Sequence, residues 1–241
     1  MTIQEFHYAF KIAMDRVDSL SNIDFKPYEV DFFLNEAQKV FINRRFSALS
    51  NPKLQGVEAS QKRIDDLSTV IVKFPNQPGI TPTFDSGVYE VNLSNLIFPY
   101  FHILSASADV LTSPNCESNI QLKFVQHDDY RELLKDPFND ANFEFIPYNF
   151  GLSSDQVNPS LYIYANQYTV KKVYVEYIKQ PARMSLGNYT YIDGTTYPPT
   201  TSDLPTGTHN ELVDVAVQLA ALAVANPEYV EYKNFKVNNN E

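Results

Sequence analysis

Apolar positions recur at helical spacing in three stretches near the N-terminus and in one stretch near the C-terminus. Side chains three and four residues apart share one face of a helix, so each stretch predicts a helix with a buried side. After its start the last stretch is polar only at Glu211, Asp214 and Gln218, which predicts a helix buried on most sides. The predicted helices cover residues 3–18, 27–45, 58–73 and 208–225.

Capping residues mark where these helices begin. Thr2 with Glu5, and Thr208 with Glu211, match the capping box, in which two side chains satisfy free backbone N–H groups at a helix start. Pro27 suits the first turn of the second helix, because a residue at that position needs no N–H bond. The sequence therefore predicts three helix starts from local chemistry alone.

Between residues 80 and 204 the apolar period changes from about four to two, which predicts strands with one buried face. The last two predicted strands flank Asn166 and Gln167, and we expect them to form a hairpin. Residues 181–207 are rich in loop-forming residues, and a connection of this length is usually functional or contains short elements of its own. The predicted strands cover residues 88–93, 100–111, 119–126, 142–148, 161–165 and 170–178, and a short helix is predicted over residues 127–135.

This order of helices, strands and one buried helix favours an α+β fold over a parallel α/β sheet. The last helix needs partners on most sides, and each of the first three helices offers one apolar face. We therefore expect a helical bundle of three N-terminal helices and a C-terminal return helix. The predicted domains are a helical core of residues 1–79 and 205–241, and a β-rich insertion of residues 80–204.

The charge distribution argues against broad binding of nucleic acid. The chain has 19 Lys and Arg against 29 Asp and Glu, a net charge of −10. Residues 74–204 carry seven basic and fourteen acidic side chains, and an acidic surface repels phosphate groups. The single cysteine, Cys116, excludes an intrachain disulfide and fits a reducing compartment. No apolar run reaches the roughly 20 residues that cross a bilayer, and we expect no signal peptide.

Motifs for catalysis or metal binding are weak. No two histidines are spaced as zinc ligands usually are. His127–Asp129 is interpreted as an acidic helix start rather than a hard-metal site. Asp65 and Asp66 are interpreted as part of a solvated helix face rather than an acid–base pair. No nucleotide, phosphate or hydrolase motif is present, so no catalytic residue, cofactor or metal site is predicted. The four histidines are His7, His102, His127 and His209.

Paired basic residues in the helical part suggest contacts between subunits. Such pairs either compensate helix ends and form surface ion pairs, or bind acidic patches on neighbouring subunits. The polar stripe of the last helix is expected to face solvent, a channel or a neighbouring subunit. The candidate subunit-interface residues are Arg44, Arg45, Lys62, Arg63, Glu211, Asp214 and Gln218.

Three passages resemble the head-to-tail adaptor and neck-ring proteins of tailed bacteriophages, in particular the ring proteins of crAss-like phages. One is the opening helix pair, TIQEFHYAFKIAMDRV with YEVDFFLNEAQKVFINRRF. Another is GVEASQKRIDDLSTVI, which follows a G-[VF]-E-x-[ST]-x-K-R-x-x-D-L-like pattern. The third is the return helix, LPTGTHNELVDVAVQLA, with a proline upstream and a histidine just before the acidic cap.

The resemblance implies a helical adaptor core with a β-rich insertion in a structural virion protein that is not an enzyme. It implies a homo-oligomeric ring, a dodecamer, that connects the portal to the tail. Its implied partners are further copies of itself, the portal protein and the adjacent neck or tail rings. Genomic DNA would pass through without specific binding. The implied location is the neck or tail of the virion, after assembly in the host bacterial cytoplasm.

The tyrosine-rich strands leave an alternative open. Their tyrosines follow strand alternation, which favours a sheet with aromatic cross-strand pairs over a ligand platform. The alternative function is a β-sheet binding module on a helical stalk that recognises a glycan or a host surface. A hydrolase has the least support. The tyrosines concerned are Tyr162, Tyr164, Tyr168, Tyr174 and Tyr177.

Overall fold

The computed structural model describes residues 1–17, 25–49, 57–113, 116–129, 141–153, 157–166, 168–191 and 194–223. In this part of the chain the α-helices are α1 (Ile3–Val17), α2 (Pro27–Leu49), α3 (Val57–Leu67) and α4 (His209–Ala223). The strands are β1 (Ile71–Val72), β2 (Thr83–Asp85), β3 (Val88–Asn92), β4 (Tyr100–Ser113), β5 (Cys116–Phe124), β6 (Phe145–Leu152), β7 (Pro159–Ile163) and β8 (Thr169–Lys179). Of the short helix predicted over residues 127–135, residues 127–129 are helical and the others lie outside the described residues.

The capping prediction is confirmed for α1 and is wrong for α4. The Thr2 N–H donates to Glu5 Oε2 at 2.8 Å, and the Glu5 N–H donates to Thr2 Oγ1 at 3.3 Å. The Thr208 hydroxyl instead donates to the Pro205 carbonyl at 2.8 Å, within a 3-10 turn that precedes α4. The Glu211 carboxylate forms ion pairs with other helices, because cations there attract it more strongly than a neutral N–H does.

The strands form one mixed sheet in the order β1-β8-β4-β5-β6-β7-β3-β2. The β5–β6 pair is parallel, and the other pairs are antiparallel. The longest pairing joins β4 and β8, with Ala106 opposite Val175 and Ala108 opposite Val173.

The predicted fold class, a helical adaptor bundle with a β-rich insertion, is wrong. The protein is mostly a large mixed sheet of eight strands with a few short helices. The sequence prediction extended the third helix to residue 73, but α3 ends at Leu67 and Ile71–Val72 joins the sheet as β1. Consecutive β-branched residues at positions 70–72 favour a strand, which is the physical reason for the difference.

The predicted hairpin of the last two strands is also wrong. β7 lies between β6 and β3, whereas β8 lies between β1 and β4. β8 pairs with β4 rather than with β7, its neighbour in the sequence. β4 has 14 residues and β8 has 11, and the two strands pair along most of their length. A long register of apolar cross-strand pairs stabilises a sheet more than a short local turn does.

The chain divides into two compact units, Met1–Val70 with Pro181–Glu241, and Ile71–Gln180. The domain boundaries expected at residues 79/80 and 204/205 remain predictions. In the first unit, called the helical unit here, α4 packs against α1 and α2. Its fully buried apolar side chains include Phe6, Phe10, Leu34, Ile42 and Leu212.

The second unit, called the sheet unit here, has its own apolar core. Alternate residues of the strands point into this core, as the period of two requires. No helix in the described part of the chain is both long enough and apolar enough to cross a membrane. The core side chains of the three neighbouring strands β4, β5 and β8 include Ala106, Ala108, Val110, Ile120, Leu122, Val173 and Val175.

Candidate functional site

A polar stripe on α2 holds the long loop-rich segment that begins at residue 181. The stripe consists of Asp31, Asn35 and Gln38, which share one helix face because they are four and three residues apart. Asn35 Oδ1 accepts from the Met184 N–H at 2.8 Å, and its Nδ2 donates to the Met184 carbonyl at 2.8 Å. Gln38 Nε2 donates to the Ala182 carbonyl at 3.2 Å. The stripe thus replaces the sheet or helix bonds that this segment lacks.

Asp31 is the centre of the stripe and is fully buried. Its Oδ1 lies 2.7 Å from Nε2 of His7, on α1. Its Oδ2 accepts from the Leu186 N–H at 2.9 Å and from the Tyr191 hydroxyl at 2.5 Å. A buried carboxylate is expensive unless its oxygens accept hydrogen bonds, and here three donors converge on it.

The held segment continues as an arm, defined as residues 185–191 and 194–200. Its two limbs are joined where the Ser185 N–H donates to the Thr200 carbonyl at 3.0 Å and the Thr200 N–H donates back at 2.8 Å. Gly187 has a φ of +78°, and a Cβ there would lie 2.8 Å from the Pro199 ring. Glycine is therefore required at this position, where the backbone is left-handed and the other limb lies close.

Three tyrosines of the arm form a cluster next to Arg183, which precedes the arm in the chain. The Arg183 guanidinium lies 4.2 Å from the ring centroids of both Tyr191 and Tyr197, and its Nη1 donates to the Tyr197 hydroxyl at 3.0 Å. The Tyr189 hydroxyl donates to the Tyr191 hydroxyl at 2.8 Å. Burial, together with the hydrogen bond to the Asp31 carboxylate, raises the pKa of Tyr191 to about 12.

The polar stripe and the arm are not among the candidate sites predicted from the sequence. The signal that could have found the stripe is the spacing of Asp31, Asn35 and Gln38, which lies beside the apolar face of the same helix. A second polar row beside the buried apolar face of a helix indicates a bonded partner, because unpartnered buried polar groups are costly.

The structure brings together three of the predicted subunit-interface residues within one chain. Arg45 Nε lies 3.0 Å from Asp66 Oδ2, and Arg45 Nη2 forms an ion pair with Glu211. Lys62 Nζ lies 3.2 Å from Glu211 Oε1. The network joins the C-terminal half of α2 to α3 and to the first turn of α4. The charges of Arg45, Lys62 and Glu211 are therefore compensated, at least in part, inside the helical unit.

Arg44, Asp214 and Gln218, which were also predicted to lie at the interface, do not take part in these ion pairs. Arg44 and Asp214 are exposed, and Gln218 is half-buried on the outer face of α4. The side chain of Arg63 lies outside the described residues. The assignment of these residues to a subunit interface remains a prediction.

A shallow groove of about 320 Å³ lies on the face of the sheet opposite the core. Alternation puts small and polar side chains of β4 on this face, between the buried positions of the same strand. Gly79 lies close to the Tyr174 ring, and a Cβ there would lie only 2.8 Å from Tyr174 Cε1, so the position has no room for a larger residue. The main lining residues are Phe74, Ser105, Ser107, Asp109, Tyr174 and Glu176.

Neutral donors hold the two carboxylates of the groove. Asp109 accepts from the Tyr174 hydroxyl at 2.8 Å and from Asn119 Nδ2 at 2.8 Å. Glu176 Oε2 accepts from the Ser105 hydroxyl at 2.9 Å. The hydrogen bond to Asp109 raises the pKa of Tyr174, with burial as the second cause. Because these donors are neutral, they orient the carboxylates without cancelling their charge.

The tyrosines singled out in the sequence use their hydroxyls mainly within the sheet unit. Tyr162 donates to the Leu152 carbonyl, Tyr164 to Asn149 Oδ1 at 3.2 Å, and Tyr177 to Gln77 Oε1 at 3.3 Å. Such bonds favour the interpretation of these residues as sheet structure over a ligand platform.

Of the other candidate chemical groups, His127, Asp128, Asp129 and Cys116 are exposed. Burial lowers the pKa of His102 and of His209. Within the described residue ranges, no group of three or more His, Cys, Asp and Glu side chains is placed to hold a metal ion.

The chain belongs to the family described as phage tail ring protein 3/4, a family of crAss-like phage ring proteins that matches residues 1–229. As a member of this family, the protein has a structural role in a phage tail ring and is part of the virion. A comparison with curated protein sequences gave no match.

Proposed function

We propose that this protein forms a closed ring of identical copies in the neck or tail of the phage and connects the portal to the tail. The observation that supports this most is the family match, because residues 1–229 include the described parts of both compact units. The proposal adds to the family's tail-ring role a position in the virion, a self-association and a set of neighbours.

A ring needs a head-to-tail contact, in which two different surfaces of each copy meet and the rotation between copies closes. We place Arg44 of α2 and the outer face of α4, with Asp214 and Gln218, at or near this contact. The ion pairs of Arg45 with Asp66 and Glu211 keep the three helix ends in a fixed arrangement beside it. The ring is a dodecamer in this proposal, and its further neighbours are the portal and the adjacent rings.

The charge of the chain suits a ring through which DNA passes. A net charge of −10 for each copy repels the phosphate backbone, so the wall of the passage does not retain the genome. The protein in this proposal acts mechanically and catalyses no reaction.

Cryo-electron microscopy of intact virions tests the proposed position. We expect the helical and sheet units to fit a ring of density between the portal vertex and the tail, with the DNA passage at its centre. Density for this chain at another place in the tail would refute the portal connection and leave the family's ring role intact. Mass spectrometry of the same particles provides the control that the chain is present.

A further inference from the structure

The groove of the sheet unit has a carboxylate at each end. β4 and β8 pair in regular register across it, with Ser105 opposite Glu176 and Ser107 opposite Tyr174. The Glu176 carboxylate is held at the first of these pairs, because Ser105 donates to its Oε2 at 2.9 Å. Asp109 lies four residues further along β4, at about 3.3 Å for each residue, so the two ends are about 13 Å apart along the strand. The groove is therefore elongated.

Aromatic rings occupy the middle of the groove. Tyr174 lies between the two ends in the register, and its hydroxyl reaches Asp109 at 2.8 Å. The Phe74 ring packs edge-on against the Tyr174 ring, with 5.4 Å between the centroids, and Phe74 is 61% exposed. The small side chain of Ser107 leaves space above the strand beside these rings. The groove thus presents apolar surface between two acidic ends.

Both carboxylates can accept further hydrogen bonds. An ionised carboxylate has about four acceptor sites. Asp109 uses two of them, for the Tyr174 hydroxyl and for Asn119 Nδ2. Glu176 uses one, for the Ser105 hydroxyl. Because these donors are already in place, a ligand would find the carboxylates oriented and would lose little free energy in ordering them.

The charge of the two carboxylates is not neutralised by an ion pair. Among the ion pairs of the described residues, none includes Asp109 or Glu176. Lys172 is opposite Asp109 in the register, but it is exposed, does not line the groove and forms no ion pair with that carboxylate. A cation from outside can therefore approach each end.

We propose that the groove binds a linear aliphatic polyamine. The ammonium groups at the two ends of the ligand face Asp109 and Glu176, and the methylene chain between them lies along Tyr174 and Phe74. Ammonium groups form strong, charge-assisted hydrogen bonds with carboxylates, and aromatic rings attract both cations and apolar chains. The volume of about 320 Å³ is at the lower limit of small-ligand sites, which suits a slender chain. This binding is independent of the proposed ring.

Calorimetric titration of the purified full chain with spermidine tests the proposal. We expect saturable binding of one spermidine for each chain. Butylamine has one ammonium group and can engage only one end of the groove, so it should bind roughly tenfold more weakly or worse. Titration with Mg²⁺ at the same ionic strength measures attraction by charge alone, and it should give no saturable binding at this site.

Two isosteric variants remove the charge at one end each. We expect Asp109→Asn and Glu176→Gln to weaken spermidine binding by about tenfold and to reduce the preference over butylamine. Lys172→Gln removes a cation beside the groove and should bind spermidine at least as tightly as the wild type. Asp85→Asn is the matched control, because it removes an exposed carboxylate from β2, at the other end of the sheet, and should bind like the wild type.

Two results would overturn the proposal. One is a wild-type protein that binds spermidine no more tightly than butylamine or Mg²⁺. The other is unchanged spermidine binding in both carboxylate variants, with a thermal melt to show that each is folded. Either result leaves the proposed ring untouched, since the titration does not depend on assembly.

Discussion

Asp31 shows how one residue organises the helical unit. The sequence places it on α2 next to Val30, where it looks like a surface carboxylate, yet its side chain has no exposed area. Its two oxygens are shared between His7 on α1 and donors from the Leu186 backbone and the Tyr191 side chain. A single buried carboxylate thus links α1, α2 and the arm.

Asp31→Asn tests this role. The asparagine amide has only one acceptor oxygen, so its NH₂ group would replace an oxygen that now accepts hydrogen bonds. The buried donors that face this NH₂ group would lose their acceptor, which costs about 1–3 kcal/mol for each unsatisfied group. We expect the free energy of unfolding to fall by about 3 kcal/mol in urea titrations. Glu36→Gln on the same helix is the control. Its pair with Lys39 is substantially exposed, so its loss should cost less than about 1 kcal/mol. Equal losses for the two variants would contradict the account.

His209 is a second buried polar residue at the start of a helix. Its Nδ1 lies 2.7 Å from the Met1 ammonium nitrogen, its Nε2 lies 3.0 Å from the Leu204 carbonyl oxygen, and its ring packs on Phe6. Nδ1 therefore accepts and Nε2–H donates, which describes a neutral imidazole. Burial is the largest cause that lowers the pKa of His209, and the nearby ammonium lowers it further.

The lowered pKa of His209 predicts a loss of stability in acid. The unfolded chain binds the proton more readily, so the free energy of unfolding should fall as the pH drops below about 6.5, the ordinary histidine pKa. His209→Gln keeps an acceptor and a donor but does not titrate. We expect urea unfolding between pH 7 and pH 5 to show a steeper decline for the wild type than for this variant. Parallel pH profiles would show that His209 contributes nothing to the acid sensitivity.

At the scale of the element, α3 depends on charge more than on apolar burial. Ile64 is 50% exposed, and Leu67 is the fully buried apolar side chain of the helix among those described. Asp66 and Lys62 of α3 connect it through Arg45 and Glu211 to α2 and α4. The Asp66 side chain is only 12% exposed, so its pair with Arg45 is largely shielded from water.

Arg45→Met should therefore destabilise the helical unit. Methionine keeps apolar contact with Phe41, over which the guanidinium now lies, but it leaves Asp66 without this cation. We expect a loss of about 1–3 kcal/mol in the free energy of unfolding. Lys62→Met removes a lysine that is 63% exposed and should cost under about 1 kcal/mol. The account of α3 fails if the lysine variant is as destabilised as the arginine variant.

The sequence predicts elements better than it predicts their partners. The helical spacing located α1, α2 and α4, and alternation located β3, β4, β5 and β8, because period and burial are local properties. The pairing of β8 with β4 rather than β7 depends on long-range register, which no local pattern contains. The two-residue strand β1 exists only through its pairing with β8, so the sequence assigned it to the preceding helix.

The candidate site was also predicted only in part, because its contacts join residues that are far apart in the sequence. Charged residues at helix ends, such as Arg45, Lys62 and Glu211, are visible in the sequence, but their mutual pairing requires the packing of three helices. The arm gave only a signal of length and composition. Asn35 and Gln38 anchor the segment that leads into the arm, and these bonds link positions about 150 residues apart in the chain, as the 149-residue separation of Asn35 from Met184 shows.

At the scale of the whole molecule, the chain combines a helical unit and a large mixed sheet, each with its own core. Family membership places this combination in a phage tail ring. The helical unit contains the segment held by the polar stripe, and the sheet unit contains the groove lined by Asp109 and Glu176. Two unlike surfaces on every copy are what a closed head-to-tail assembly requires.

Native mass spectrometry of the purified full chain tests the central claim, that identical copies close into a ring. A closed ring has a fixed number of copies, so the account predicts one dominant mass at an integer multiple of the chain mass, with no ladder of open oligomers. A monomer at every concentration, or a continuous series of chain lengths without a preferred number, would contradict it.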